Sequence, residues 1–257
     1  MRTFRPKLWT AVGAAALLAA CSPGGEAGEG EGGEKGEAGA TAAAVGEAGE
    51  KAGGEGGGGE AGAQGAYASV PAESRTALRL AHLKGFFLVA EEALAAEGAD
   101  AAAALAGQGM LEVYDPAADA FRRAGVNEAV LRAAAAKGDA ASLQAAIGAL
   151  DAAGKRVGGD PAAVVSGLTD IAAGLYAGVV QDGAVDPIEY QHSRGAALAA
   201  KAEAANARDN GKVLAATADL DQFLKLWPTV SAPEDPARAT PPGKVQAQAS
   251  RIQLALS

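Results

Sequence analysis

The sequence predicts an all-α protein, a helical bundle of about seven or eight helices behind a disordered linker rich in glycine and glutamate. Apolar residues recur at gaps of three and four over much of the chain after residue 66, which is the period of a helix. Asp-Pro and Asn-Gly pairs separate these segments, and no alternating β-branched run is long enough to be a strand. The 257 residues therefore divide into segments 1–20, 21–66 and 67–257.

Residues 1–20 are typical of a secretory signal peptide. Arg2, Arg5 and Lys7 precede the uncharged run LWTAVGAAALLAA. This run is shorter than the roughly 20 apolar residues that a membrane-spanning helix needs. A buried N-terminal helix is the alternative, but the residues that follow offer no apolar core to cover it.

The signal ends in LAAC, residues 18–21, which resembles the lipobox of bacterial lipoproteins. The resemblance implies that a peptidase cuts before Cys21 and that this cysteine is lipidated with acyl chains. Two or more acyl chains are enough to hold a protein stably on a membrane. Ser22 in place of Asp implies an outer-membrane protein that faces the periplasm. Because Cys21 is the chain's single cysteine, its lipidation excludes disulfides and thiolate catalysis.

Residues 22–66 have the composition of a flexible linker. They hold 18 of the 36 glycines, nine glutamates and two lysines, which gives a net charge of −7, and they contain no aromatic residue. Such a segment cannot bury enough apolar surface to offset the entropy lost on ordering. We therefore expect a solvated spacer, with an acidic tail that attracts cations as the alternative.

The first helix after the linker is predicted to open with Pro71 and Ser74 and to end at Gly98. Its apolar face is formed by Leu80, Leu83, Phe87, Ala90 and Leu94. Asp100 is expected to cap a short alanine-rich helix that stops near Gly107. Further helices are predicted to begin at Asp115-Pro116, at Asn127-Glu128 and at Asp139, and the last of these closes at Gly158-Gly159.

The second half of the helical region begins with the start signal Asp160-Pro161. An apolar face follows in Val164, Leu168, Ile171, Leu175 and Val179. Asp182-Gly183 predicts a turn, and Asp186-Pro187 opens a helix that runs to about Arg208. Val213 to Trp227 is the next predicted helix, Pro228 to Pro242 is a proline-rich connector, and Gln246 to Leu256 is the final helix.

The charge and the motifs exclude several classes of function. The net charge is −9, and it becomes −12 when the three basic residues of the signal are removed. Without a basic stripe, nucleic acid is excluded as a partner. The sequence has no phosphate-binding loop, no Gly-x-Ser-x-Gly elbow and no His-Glu-x-x-His motif. We therefore predict a protein that is not an enzyme and has no catalytic residues.

The two histidines are the candidate binding residues. His82 lies in the first helix of the domain, whereas His192 follows Glu189 by three residues in a later helix, so those two side chains share a helix face. If the two helices face each other, His82, Glu189 and His192 could hold one iron, copper or zinc ion. The alternative is that each histidine is a hydrogen-bonded structural residue.

Two stretches carry a family resemblance. YAGVVQDGAVDPIEYQHSRGAALAA, residues 176–200, resembles periplasmic helical segments of bacterial iron-permease proteins. HLKGFFLVAEEAL, residues 82–94, and LEVYDPAADAF, residues 111–121, resemble a set of uncharacterised helical proteins of proteobacteria. The resemblance implies a link to metal uptake. However, the Gly-x-His-x-x-Glu motif of imelysin-like lipoproteins is absent, and Gly107-Gln108-Gly109-Met110 stands where metal-binding residues are expected.

These observations predict a lipid-anchored, periplasm-facing helical module that binds or interacts without catalysis. The alternative is a metal-handling lipoprotein associated with iron or copper uptake. The membrane is the expected partner through the lipid on Cys21, together with either an unidentified protein or a metal ion.

Overall fold

The computed structural model describes the backbone of residues 57–257 and the side chains of residues 63–257. The predicted signal peptide, Cys21 and the linker up to residue 56 lie outside the described residues. Within the described part, the protein is an all-α bundle with a single two-stranded hairpin, which confirms the predicted fold class.

The described first half contains six helices, and the five after the first follow the predicted order. They are α1 (Gly57–Ser69), α2 (Arg75–Ala96), α3 (Ala99–Gly109), α4 (Ala118–Arg123), α5 (Glu128–Lys137) and α6 (Ala140–Val157). A π-helical turn, Met110–Tyr114, and a 3₁₀ turn, Asp115–Ala117, connect α3 to α4. Asn127 and Asp139 cap α5 and α6, because each side chain accepts a hydrogen bond from a backbone amide of the first turn. The predicted cap at Asp100 is wrong, because Gly98 occupies the cap position and Asp100 lies in the first turn.

The second half contains α7 (Pro161–Tyr176), α8 (Pro187–Asn206), α9 (Gly211–Leu224) and α10 (Pro242–Leu256). Asp160 and Asp186 cap α7 and α8 as their Asp-Pro pairs predict. Between them, strand β1 (Val180–Gln181) pairs antiparallel with β2 (Ala184–Val185) around the predicted Asp182-Gly183 turn. Both turn residues have positive φ, 52° and 76°, as a tight hairpin turn requires. The hairpin was not predicted, because two-residue strands are too short to show alternation.

Helix α1 begins before the boundary that composition indicates. Gly57–Ala66, the described end of the predicted linker, is helical, and Ala63 and Ala66 are buried. Alanines on one side of this segment pack against α7, so its low hydrophobicity is compensated by a tertiary contact that composition does not reveal.

Helix α2 is the central element of the bundle. It packs against α3, α6, α7 and α8, and its side chains contribute to both clusters of the hydrophobic core. One cluster involves α1 and α7–α10, and the other involves α3, α5 and α6. Residues on α2 therefore lie at the junction of the two clusters, and this is where both histidine-bearing helices meet.

Candidate functional site

Helices α2 and α8 cross with their backbones in contact at two glycines. A Cβ atom added to Gly85 would lie 2.6 Å from the carbonyl oxygen of Gly195, and one added to Gly195 would lie 2.8 Å from that of Gly85. Only glycine permits such an approach. The crossing brings the two helices that carry His82 and His192 into direct contact.

The same short pattern surrounds each glycine. His82-Leu83-Lys84-Gly85 on α2 and His192-Ser193-Arg194-Gly195 on α8 both place a histidine three residues, and a basic residue one residue, before the glycine of the crossing. The same spacing of histidine, basic residue and glycine therefore occurs on both sides of the α2–α8 crossing.

The two basic residues form reciprocal ion pairs across the crossing. Lys84 of α2 donates to Glu203 of α8 and to Asp151 of α6, the latter at 2.7 Å. Arg194 of α8 forms a bidentate pair with Glu92 of α2, with N–O distances of 2.5 and 2.8 Å. Lys84 is almost fully buried. Burial acts to lower its pKa, but the two carboxylates outweigh this effect and raise it.

His82 and His192 line one cavity of about 170 Å³. The ring of Phe86 lies between them, with centroid distances of 5.5 Å to His82 and 4.7 Å to His192. Apolar walls are contributed by Phe86, Val113 and Leu175, and the remaining polar lining comes from Gln64, Tyr67 and Glu112. The cavity thus joins residues of α1, α2, α7, α8 and the π turn, and we call it the histidine cavity.

His82 has one ring nitrogen paired and one unpaired. Its Nδ1 lies 2.6 Å from the hydroxyl of Tyr67, and its Nε2 is buried with no hydrogen-bond partner among the described residues. Burial, assisted by nearby His192, lowers the pKa of His82 to about 3. Burial also raises the pKa of Tyr67, and the stacked guanidinium of Arg79 opposes this only partly. Both groups are therefore uncharged near neutral pH.

His192 has an oxygen near each ring nitrogen, and because its ring is neutral it can donate a hydrogen bond to only one of them. Its Nε2 lies 2.9 Å from Oε1 of Gln108, and its Nδ1 lies 3.4 Å from Oε2 of Glu112. Burial lowers the pKa of His192 to about 4, and Asp186 opposes the shift. Gln108 belongs to the stretch that departs from the expected metal-binding pattern, so here an amide supports the imidazole.

Glu189 lies away from this cavity. It is one turn before His192 on α8, yet it is not among the residues that line the cavity, and its Cγ lies on the side of Gly178. Its Oε2 is buried without a partner among the described residues, and burial together with Asp186 raises its pKa. The structure therefore brings His82 and His192 to one cavity but does not add Glu189 to them.

Over the described side chains, 63–257, there is no cluster of three or more His, Cys, Asp or Glu residues with the geometry to hold a metal ion. A second cavity, of about 210 Å³, lies on the other side of α2 and is lined by Lys84 and its two carboxylate partners. Its charges already satisfy one another, so we assign it a structural role in joining α2, α6 and α8.

Comparisons with known proteins identify no relative: no family model, no curated protein and no solved structure matches the chain. Among the helices that the structure describes, none combines the length and the apolar character that a membrane span requires.

Sequence reasoning missed three residues of the site: Tyr67, Gln108 and Glu112. Tyr67, the first aromatic residue after the glycine-rich segment, was placed in the helical domain, but no local pattern pairs it with His82. Gln108 and Glu112 carry no such pattern either, because they reach His192 only through the packing of the π turn beside α8.

Proposed function

We propose that the protein is a lipid-anchored binding module of the bacterial cell envelope, that it faces the periplasm, and that it acts without catalysis. The observation that carries the binding role is the histidine cavity, in which the Nε2 atom of His82 is buried without a partner. A buried polar atom without a partner, on a residue that lines a cavity, is a group whose missing hydrogen bond a ligand or an ordered water can supply.

The lining of the cavity supports binding over covalent chemistry. Its described side chains include no Ser or Thr hydroxyl, no Cys thiol and no Lys amine. Both imidazoles have pKa values far below neutrality, whereas a general base works best with a pKa near the operating pH. These groups are suited to neutral hydrogen bonds with a bound molecule.

Native mass spectrometry of the full chain, extracted from membranes in mild detergent, tests the binding role. We expect a small noncovalent adduct on the parent protein and its loss in Ala63→Leu, which fills the cavity from α1. Ala77→Leu is the matched control, because Ala77 is exposed to the same 9% but lines the Lys84 cavity. An adduct that survives Ala63→Leu would contradict binding in the histidine cavity.

The anchor rests on the basic start, the apolar run and the lipobox residue Cys21. In Cys21→Ser, we expect the protein to leave the detergent phase or to retain its uncleaved signal. Phase partitioning and intact mass measure both outcomes. Identical partitioning and identical mass in parent and variant would refute lipidation.

Metal handling stays the second candidate function, and the observation in its favour is that His82 and His192 line a single cavity. Calorimetric titration of the full chain with Fe³⁺, Cu²⁺ and Zn²⁺ tests it, with His82→Ala and His192→Ala measured separately. A shared site requires that binding disappears in both variants. If either variant binds metal as well as the parent does, the two histidines do not form a metal site.

A further inference from the structure

The chemistry of the histidine cavity restricts the kind of molecule that it can hold. Its volume of about 170 Å³ is close to that of an apolar protein cavity that accepts benzene. The ring of Phe86 contacts both histidines and offers an aromatic surface, and aromatic rings pack favourably in tilted arrangements. A single six-membered ring with one small substituent therefore fits, and a peptide or a sugar chain does not.

The charges in the cavity lining further restrict the class of ligand. Glu112 lines the cavity with its carboxylate 3.4 Å from Nδ1 of the neutral His192, so a second carboxylate or a phosphate would meet a negative group with no cationic side chain in the lining. A buried cation would in turn lose its hydration. An uncharged ligand avoids both costs.

The Nε2 atom of His82 lacks a hydrogen-bond partner among the described residues. If the Tyr67 hydroxyl donates to Nδ1, then Nε2 carries the ring hydrogen and needs an acceptor. If Nδ1 donates to the Tyr67 oxygen instead, then Nε2 carries a lone pair and needs a hydrogen-bond donor. A hydroxyl group can donate and accept, so it satisfies His82 in either tautomer.

We propose that the histidine cavity binds a small, uncharged aromatic alcohol of about the size of phenol, with its ring beside Phe86 and its hydroxyl on Nε2 of His82. This ligand class rests on the proposed binding function and defines its ligand. Tyr67 and Gln108 act here as positioning residues, because they hold the two imidazoles through hydrogen bonds.

Four fluorinated probes test the proposal by ¹⁹F NMR on the full chain in detergent: 4-fluorophenol, fluorobenzene, 4-fluorobenzoate and 4-fluorocyclohexanol. We expect 4-fluorophenol to bind at least about fivefold more tightly than fluorobenzene, since one neutral hydrogen bond contributes about that factor. The benzoate and the cyclohexanol should bind more weakly than the phenol. Because the cavity is filled in Ala63→Leu, the signal that the probes give with this variant in the same micelles measures their partitioning into detergent. Ala77→Leu should bind the probes as the parent does.

Two measurements assign the hydroxyl to His82. In His82→Phe, the preference for 4-fluorophenol over fluorobenzene should fall to about one. Because this variant leaves the Tyr67 hydroxyl without its partner, ¹⁵N spectra of the parent provide an independent readout. The chain has two histidines, so the His82 Nε2 signal is readily followed. It should shift with 4-fluorophenol and not with fluorobenzene, and the signals of His192 should move less.

The outcomes separate the ligand class from the binding function. Equal affinity for phenol and benzene, or tighter binding of the benzoate or the cyclohexanol, overturns the proposed class. If no probe binds while the native adduct is present and depends on the cavity, the class is wrong and the binding function stands. If no probe binds and no adduct is detected, both the proposed ligand class and the proposed binding function are wrong.

Discussion

Acidification from pH 7 to pH 5 should destabilise the protein through its two buried histidines. His82 and His192 have folded pKa values of about 3 and about 4, whereas an unfolded histidine has a pKa near 6.5. The unfolded chain therefore binds more protons than the folded chain in this range, so stability is full above pH 6.5 and falls as the pH falls.

The magnitude follows from those pKa values. At pH 5 an unfolded histidine is almost fully protonated, while both folded histidines remain mostly neutral. Each therefore reduces the free energy of unfolding by about 2 kcal/mol between pH 7 and pH 5, or about 4 kcal/mol together, from about 1.4 kcal/mol per pH unit. This is a large part of the 5–15 kcal/mol that is usual for a folded domain, taken as an approximate range.

Urea unfolding of the full chain, followed by far-ultraviolet circular dichroism at pH 7, 6 and 5, measures this dependence. His82→Gln and His192→Gln should each remove about half of it, whatever they do to stability at pH 7. Glu189 acts in the opposite direction, because its raised pKa favours protonation in the fold, and this is why the variants are compared with the parent. If both variants keep the parent's full pH dependence, the reasoning is refuted.

Two further predictions concern the α2–α8 crossing. Lys84→Met should lower the free energy of unfolding by about 2 kcal/mol. This is less than the roughly 3–5 kcal/mol lost when a fully buried ion pair is broken, because both carboxylate partners of Lys84 are partly exposed. Lys201→Met removes an exposed ion pair and should lower the free energy of unfolding by less than about 1 kcal/mol. A matching loss in both would show that burial of Lys84 has no energetic importance. Gly85→Ala should cost about 1–3 kcal/mol because its Cβ meets the Gly195 carbonyl, whereas Gly148→Ala, with open space around it, should stabilise α6 by about 0.5–1 kcal/mol. Thermal denaturation measures both changes, and a neutral Gly85→Ala would contradict the close approach.

Local signals predicted most of the fold because they act within a few residues. Asp160-Pro161 and Asp186-Pro187 start α7 and α8 at the expected positions, since capping and the proline ring both depend on the adjacent backbone. Helix α1 escaped prediction because its residues, such as Gly57 and Ala63, resemble a linker until α7 covers them.

The site was only partly predictable for the same reason. His82 and His192 could be selected by residue type, and the structure places them at one cavity. Glu189 was grouped with His192 by helical spacing, but it is not among the residues that line the cavity. Tyr67 and Glu112 are set by tertiary contacts between segments far apart in sequence, which no local pattern encodes.

The contact between Gly85 and Gly195 limits which substitutions the chain can accept in evolution. The side chain of a larger residue at either position would collide with the backbone of the other helix. Because a substitution elsewhere changes only a side chain, it cannot relieve this collision. Relatives too divergent for whole-chain comparison should still carry both glycines, each preceded at the same spacing by a histidine and a basic residue, and this paired tetrapeptide offers a means of finding them.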